Sequence, residues 1–228
     1  MIQSIKKEAT STNSQFSLKF LIREPKINTP VRKAVVLLHG VGSNEKDLFS
    51  LSNQLPDDWF VISPRGPFTI GQDRYAWYQV DFSTGKPIIN AEQEKQSRKL
   101  IIDFIREIKQ ELKIDEIYLG GFSQGAIMSY SLGLTHPDEI QGIVSLSGRL
   151  LEEIKPFVKN DENLKRLKVF LAHGIHDNTL PVHYAREAKE YLQSLGVRLS
   201  YHEYAMGHQI NNEVLNDMKN WLNDKQFV

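Results

Sequence analysis

YLGGFSQGAIMS, residues 118–129, decides how the rest of the chain is read. An apolar segment runs into two glycines, Ser123 stands between Gly121-Phe122 and Gln124-Gly125, and helix-forming residues follow at once. That order is strand, tight turn, helix, with the serine on the turn. Glycine on both sides lets neighbouring backbones approach closely and lifts the intervening side chain over the end of the strand. An ordinary glycine-rich turn fits the same residues, so the flanking pattern has to decide between the two.

Outward from this stretch, apolar runs alternate with amphipathic ones. Residues 16–22, FSLKFLI, read as an early, exposed strand, while AVVLL (34–38) and WFVIS (59–63) are continuous apolar runs of the kind buried on both faces of a sheet. Residues 44–55 between them read as a short helix with Leu48 and Leu51 inward. Ile101, Ile105, Ile108 and Leu112 recur at helical spacing, which predicts an amphipathic helix over 92–112. Strands follow at 116–120, 141–148, 168–174 and 198–205, with helices after Ser123, at 182–196 and at 211–223. Such alternation predicts one α/β domain over residues 1–228, with a mostly parallel, doubly wound sheet and helices on both faces. Residues 64–91, rich in Gly, Pro and aromatics, are too long for an ordinary connection and read as a substrate-site loop.

Composition narrows the function. The 28 basic and 28 acidic residues cancel, so no strong field draws the protein to nucleic acid or anionic lipid, and a small, roughly neutral partner is expected. The absence of cysteine excludes thiolate catalysis and cysteine zinc sites. The N-terminal residues, MIQSIKKEATSTNSQ, carry charge but no apolar signal core, and no apolar run is long enough to cross a bilayer. A cytoplasmic protein without stable membrane association is expected, as monomer or homodimer.

Gly121-Phe122-Ser123-Gln124-Gly125 fits G-x-S-x-G with a strand before and a helix after. A serine hydroxyl is a weak nucleophile without a base, and the motif calls for an acid and then a histidine later in the chain. Asp177 lies just beyond the strand at 168–173 and His208 just beyond that at 198–205, so all three are expected at one sheet edge. His208 would take the serine proton while Asp177 orients the imidazole. Asp115 and Asp138 fall at the opposite edge. Donors for a tetrahedral oxyanion map to the backbone N–H groups of Gln124 and of Val41 in HGVG. Neither phosphate-cradling glycine pattern fits HGVG.

From about Val35 to the last helix the chain resembles the phospholipase/carboxylesterase family, the acyl-protein-thioesterase-like branch of the α/β-hydrolases, through LHGVGSNEKDL, SPRGP, YAWY, GGFSQGA, LSG, HGIHDNTLP and MGH in family order. SPRGP, RYAWY and Ala126 after GFSQG are closer to its bacterial carboxylesterase branch. The resemblance implies the α/β-hydrolase fold, a Ser123, Asp177, His208 triad, the Val41 and Gln124 amides as oxyanion hole, and ester hydrolysis with neither metal nor organic cofactor. By resemblance Trp77 falls in the segment walling the substrate site, with Phe68, Tyr78 and Leu180 as further candidates. The expected activity is that of a serine carboxylesterase on short or medium acyl chains. A lysophospholipase or acyl (protein) thioesterase is the alternative, and a non-catalytic ligand-binding module on the same fold is the alternative of another class.

Overall fold

The apolar runs lie side by side in one seven-stranded sheet. The computed structural model describes residues 16–81, 88–159 and 161–223, and the reading of the extreme N-terminus falls outside them. In chain order the sheet strands are β1 (Phe20–Arg23), β2 (Lys33–Leu38), β3 (Trp59–Pro64), β8 (Glu116–Phe122), β9 (Gly142–Leu146), β10 (Lys168–Gly174) and β11 (Arg198–Tyr204). In space the order is β1-β3-β2-β8-β9-β10-β11. Only the edge pair β1/β3 is antiparallel. The remaining strands run parallel, so their carboxyl ends share one edge, where ligands of such sheets bind.

Alternation along β2 shows how the sheet is covered. Ala34, Val36 and Leu38 face one core, which α2 (Ala91–Leu112), α3 (Gln124–Thr135) and α5 (His183–Ser194) close with Ile101, Ile105, Met128, Ala185 and Leu192. Val35 and Leu37 face the other core, closed by Leu48 of α1 (Lys46–Phe49) and by Val214, Met218 and Trp221 of α6 (Asn212–Asn223). A strand with a packed core on each face can carry apolar residues continuously, which is why AVVLL lacks a polar alternation. The doubly wound α/β architecture is therefore present as expected. The helix α2 starts where the Asn90 side chain accepts from the Gln93 N–H at 3.1 Å, and it ends at Lys113, which takes the left-handed conformation at φ 51°.

Several elements differ from expectation. The first strand covers only Phe20–Arg23, and the helix expected over 44–55 is a four-residue α1 followed by a 3-10 turn at Ser52–Gln54. The stretch 64–91 is not a structureless loop. It contains the hairpin β4 (Phe68–Gly71) and β5 (Arg74–Ala76), and the short pair β6 (Val80–Asp81) and β7 (Ile88–Ile89). Asp73, at φ 51°, supplies the left-handed residue that turns the first hairpin, a conformation Asp tolerates better than most residues. Between β9 and β10, a 3-10 segment at Glu152–Phe157 and the short α4 (Glu162–Arg166) had no clear periodic signal.

Ile105 is completely enclosed between α2 and the sheet. Ile105→Ala is expected to destabilise the protein by about 2–5 kcal/mol, through lost transfer energy and the cavity left behind. Urea unfolding with an unchanged m-value would measure it; a loss below about 0.5 kcal/mol would contradict the tight packing of this face.

Candidate active site

The turn after β8 is set by backbone proximity. A Cβ on Gly125 would lie 1.8 Å from the Leu38 carbonyl oxygen, and one on Gly121 would lie 2.3 Å from the Gly125 carbonyl carbon. No side chain fits either place, so α3 runs straight from the strand against the end of β2. Ser123 occupies φ 55°, a conformation that costs a non-glycine residue strain and that the surroundings must hold. Its N–H donates to the Leu146 carbonyl at 3.0 Å, and its carbonyl accepts from Ile127 N–H at 3.1 Å. Gln124 begins α3, so its N–H has no intrahelical acceptor.

The parallel pair β10/β11 brings the next two residues together. Gly174 stands opposite Tyr204 at the end of the ladder, and the chains beyond remain tied where Ile175 N–H donates to the Tyr204 carbonyl at 2.9 Å. Asp177 is buried, and its Oδ1 accepts from the N–H groups of Thr179 at 2.9 Å and Leu180 at 2.8 Å. Its Oδ2 lies 2.7 Å from His208 Nδ1. A carboxylate can only accept, so Nδ1 carries the proton and the Nε2 lone pair of neutral His208 is left available. The His208 ring packs on Phe122, the neighbour of Ser123, with ring centroids 4.7 Å apart. The three residues are thus gathered at one sheet edge.

A second imidazole flanks the same carboxylate. His173 Nε2 is 2.7 Å from the Leu180 carbonyl and 3.5 Å from Asp177 Oδ2. Burial holds its pKa below the ordinary imidazole range. His173 is therefore neutral, it donates to the carbonyl, and it does not compete with His208 for the charge of Asp177.

The HGVG turn lies directly against the serine. A Cβ on Gly40 would meet the Phe122 carbonyl oxygen and Ser123 Cβ, both at 3.6 Å. Gly42 N–H donates to the Tyr75 carbonyl at 2.8 Å, and Tyr75 N–H returns a bond to the Ser43 carbonyl at 2.8 Å, pinning the turn to β5. Below it, the buried Glu45 carboxylate pairs bidentately with Arg65, whose Nη1 donates to Tyr75 Oη at 3.1 Å. Burial pushes the Glu45 pKa up, but the Arg65 guanidinium outweighs it and holds the group below the usual carboxylate range. His39, also buried, bonds through Nδ1 to the Gly40 carbonyl at 2.8 Å and accepts the Gly66 N–H on Nε2 at 2.9 Å.

Beside Val41 opens a cavity of about 580 Å³, lined on its apolar side by Val41, Ile70, Tyr78, Val80, Ile88 and Ile89. Of the four expected wall residues, only Tyr78 lines it. Trp77 is completely enclosed, and its indole N–H donates to the His39 carbonyl at 2.9 Å, so it backs the wall rather than facing it. Phe68 is half-buried in β4 opposite Ala76, and Leu180 is half-buried beside Asp177. The isoleucines of IGQ and PIIN were the missed signal: Ile70 and Ile88 stay exposed in an otherwise polar stretch. Gln124 has a further role in its side chain, which accepts from Trp77 N–H at 2.8 Å and donates to the Tyr78 carbonyl at 2.7 Å. Among the described residues, no group of three or more His, Cys, Asp or Glu could hold a metal ion, and no helix is long and apolar enough to cross a membrane.

Residues 21–225 match a family described as Phospholipase/Carboxylesterase. The chain is 27% identical over 211 residues to an acyl-protein thioesterase 1 of Kluyveromyces lactis, spanning 85% of this chain and 92% of that one. Solved relatives include a carboxylesterase from Mesorhizobium loti, with TM-score 0.78 and 18% identity over 91% of this chain and 95% of that one. The Bacillus cereus carboxylesterase aligns with TM-score 0.77 and 23% identity over 90% of this chain and 93% of that one. At these identities the structural likenesses bear on the fold.

His39, His136 and His173 are all held below the ordinary imidazole range, each chiefly by burial. As pH falls through about 6.5 the unfolded chain therefore binds more protons than the folded one. Stability is fully present above that pH and is lost below it, down to the depressed folded-state values. The calorimetric melting temperature is expected to drop between about pH 7.5 and 5.5; a flat profile would contradict neutral, buried imidazoles.

Proposed function

The chain belongs to the phospholipase/carboxylesterase family, and we propose that it is a serine carboxylesterase in which Ser123 is the nucleophile, His208 the general base and acid, and Asp177 the orienting anion. The observation that carries the reading is the 2.7 Å contact of Asp177 Oδ2 with His208 Nδ1, made while the same ring packs on the residue preceding Ser123. His208 Nε2 takes the hydroxyl proton as Ser123 Oγ attacks the ester carbonyl. The imidazolium, stabilised by Asp177, then protonates the departing alcohol. Water enters the acyl-enzyme by the reverse proton traffic and releases the acid. The N–H groups of Gln124 and Val41 face the developing oxyanion, the former supported by its place in the first turn of α3, where it has no intrahelical acceptor.

The substrate is a small neutral ester with a short or medium acyl chain, which fits the apolar cavity beside Val41. A formal charge of zero supports a neutral partner over nucleic acid. The single domain at 1–228 would act in the cytoplasm. Acyl thioesters form a second reading, favoured by the name of the Kluyveromyces lactis relative; they pass through the same acyl-enzyme.

Ser123→Ala, checked for a native circular dichroism spectrum, is expected to lower turnover of p-nitrophenyl butyrate by at least about 10³-fold and to abolish fluorophosphonate labelling. Retention of full turnover by this folded variant would refute the assignment. Across p-nitrophenyl esters and the matching thioesters, kcat/KM is expected to peak at short or medium acyl chains. A maximum at C16 would instead favour lysophospholipid-type substrates.

A further inference from the structure

The backbone N–H, carbonyl and indole N–H of Trp77 are all engaged, and two of the partners adjoin the two halves of the proposed oxyanion hole. The Trp77 N–H donates to Gln124 Oε1 at 2.8 Å, and the neighbouring Tyr78 carbonyl accepts from Gln124 Nε2 at 2.7 Å. Because that N–H can only donate and that carbonyl only accept, the orientation of the Gln124 amide is dictated by its surroundings. The Trp77 carbonyl accepts from Ser97 Oγ at 2.5 Å, and the indole N–H donates to the His39 carbonyl at 2.9 Å. His39 in turn bonds to the Gly40 carbonyl through Nδ1. Since the Gly66 N–H can only donate, Nε2 carries the lone pair and Nδ1 the proton. The His39 and Trp77 rings pack with centroids 5.3 Å apart, and His39, Trp77 and Gln124 are 0%, 0% and 3% exposed.

We propose that Gln124, Trp77 and His39 form a buried positioning network that fixes the separation between the Gln124 and Val41 N–H groups. Gln124 belongs to the start of α3 and Val41 to the turn after β2, and the two elements are distant in sequence. Trp77 spans them, held to one by the Gln124 amide and to the other by its indole N–H. An oxyanion hole accelerates reaction because its donors are already aimed before charge develops, so an error of a few tenths of an ångström in their spacing costs rate. The network lies next to the substrate cavity without entering it: Tyr78 is among the residues that line the cavity, and its carbonyl accepts from Gln124. The bonds bury polar groups that would be costly unpaired, so the arrangement is stiff in the free enzyme.

This proposal rests on the serine-esterase reading, and its test separates the two. Trp77→Phe removes the indole N–H and keeps an aromatic ring. Gln124→Met keeps length but loses both amide bonds, and Gln124→Glu keeps an acceptor for Trp77 N–H while losing the donor to Tyr78. For each folded variant, kcat is taken per active site titrated by a p-nitrophenyl ester burst, alongside KM and the inhibition constant of an alkyl trifluoromethyl ketone, which forms a tetrahedral adduct. The expected result is a fall in kcat of about tenfold or more with KM within about twofold, and a parallel loss of ketone affinity. Unchanged kcat per titrated site, with only the melting temperature or the active fraction reduced, would overturn the network as a positioning device. So would a rise in KM alone. If Trp77→Phe does not fold, the two Gln124 variants decide. Ser123→Ala, run in parallel, tests the underlying reading: full turnover there removes that reading, whereas an inactive Ser123→Ala beside a fully active Trp77→Phe removes only the network.

Discussion

The approach of the Gly125 backbone to the Leu38 carbonyl, where a Cβ would come within 1.8 Å, is the contact on which the site depends. It lets α3 start against the end of β2 without an intervening loop, and Ser123 must then turn through a left-handed backbone to join strand to helix. The same closeness sets the HGVG turn against the serine, with Gly40 in contact range of Ser123 Cβ. The start of α3 and the turn after β2 are thereby brought side by side, which supports the proposal that their Gln124 and Val41 N–H groups act together. A larger residue at Gly121 or Gly125 would push β8, α3 and β2 apart together, displacing the proposed nucleophile and the proposed oxyanion donors at once.

Around this contact, burial and pairing bias several ionisable groups toward one state. Asp177 is buried, and its two oxygens accept from the Thr179 and Leu180 N–H groups and from His208 Nδ1. His173 is as buried and sits near the same carboxylate, yet desolvation outweighs both that carboxylate and the Leu180 carbonyl and holds its pKa below the ordinary imidazole range. His39 is neutral because a backbone donor occupies Nε2. Glu45 and Arg65 neutralise one another under the HGVG turn, so the turn rests on a charge pair rather than an uncompensated carboxylate. His208, partly exposed beside Asp177, keeps an Nε2 lone pair, the one proposed to exchange a proton with substrate.

Much of this was legible in the sequence because the informative features are local or follow chain order. AVVLL, YLGGF and KVFLAHG are apolar without alternation, as strands covered on both faces must be, and Ser123, Asp177 and His208 each follow a strand, so parallel topology alone carries them to one edge. What escaped were features that exist only through tertiary contact. Trp77 reads like a wall residue because it is aromatic and lies in the right segment, but its indole N–H needs an acceptor, and the His39 carbonyl draws it inward. The amide of Gln124 has no meaning until the 77–78 backbone lies against it. The hairpins within 64–91 were hidden because each strand is only two to four residues long, too short for period-two patterning to register.

The division between rigid and adaptable parts follows the same lines. The groups proposed for chemistry stand at the ends of parallel strands with cores on both faces, where neighbouring strands fix the backbone. The cavity is instead lined largely from short hairpins, and Val41, Ile70 and Ile88 on its rim are 50%, 37% and 52% exposed. Those side chains stabilise little in the free protein, so they can change size with little cost to folding. Tyr78 belongs to both parts, lining the cavity while its carbonyl accepts from Gln124, the residue after Ser123. If this cavity holds the acyl chain as proposed, a change at Ile70 or Ile88 alters which acyl group is accepted. In the proposed network a change at the Tyr78 backbone would pass through Gln124 to the proposed oxyanion donors, and there selectivity and rate would cease to be independent.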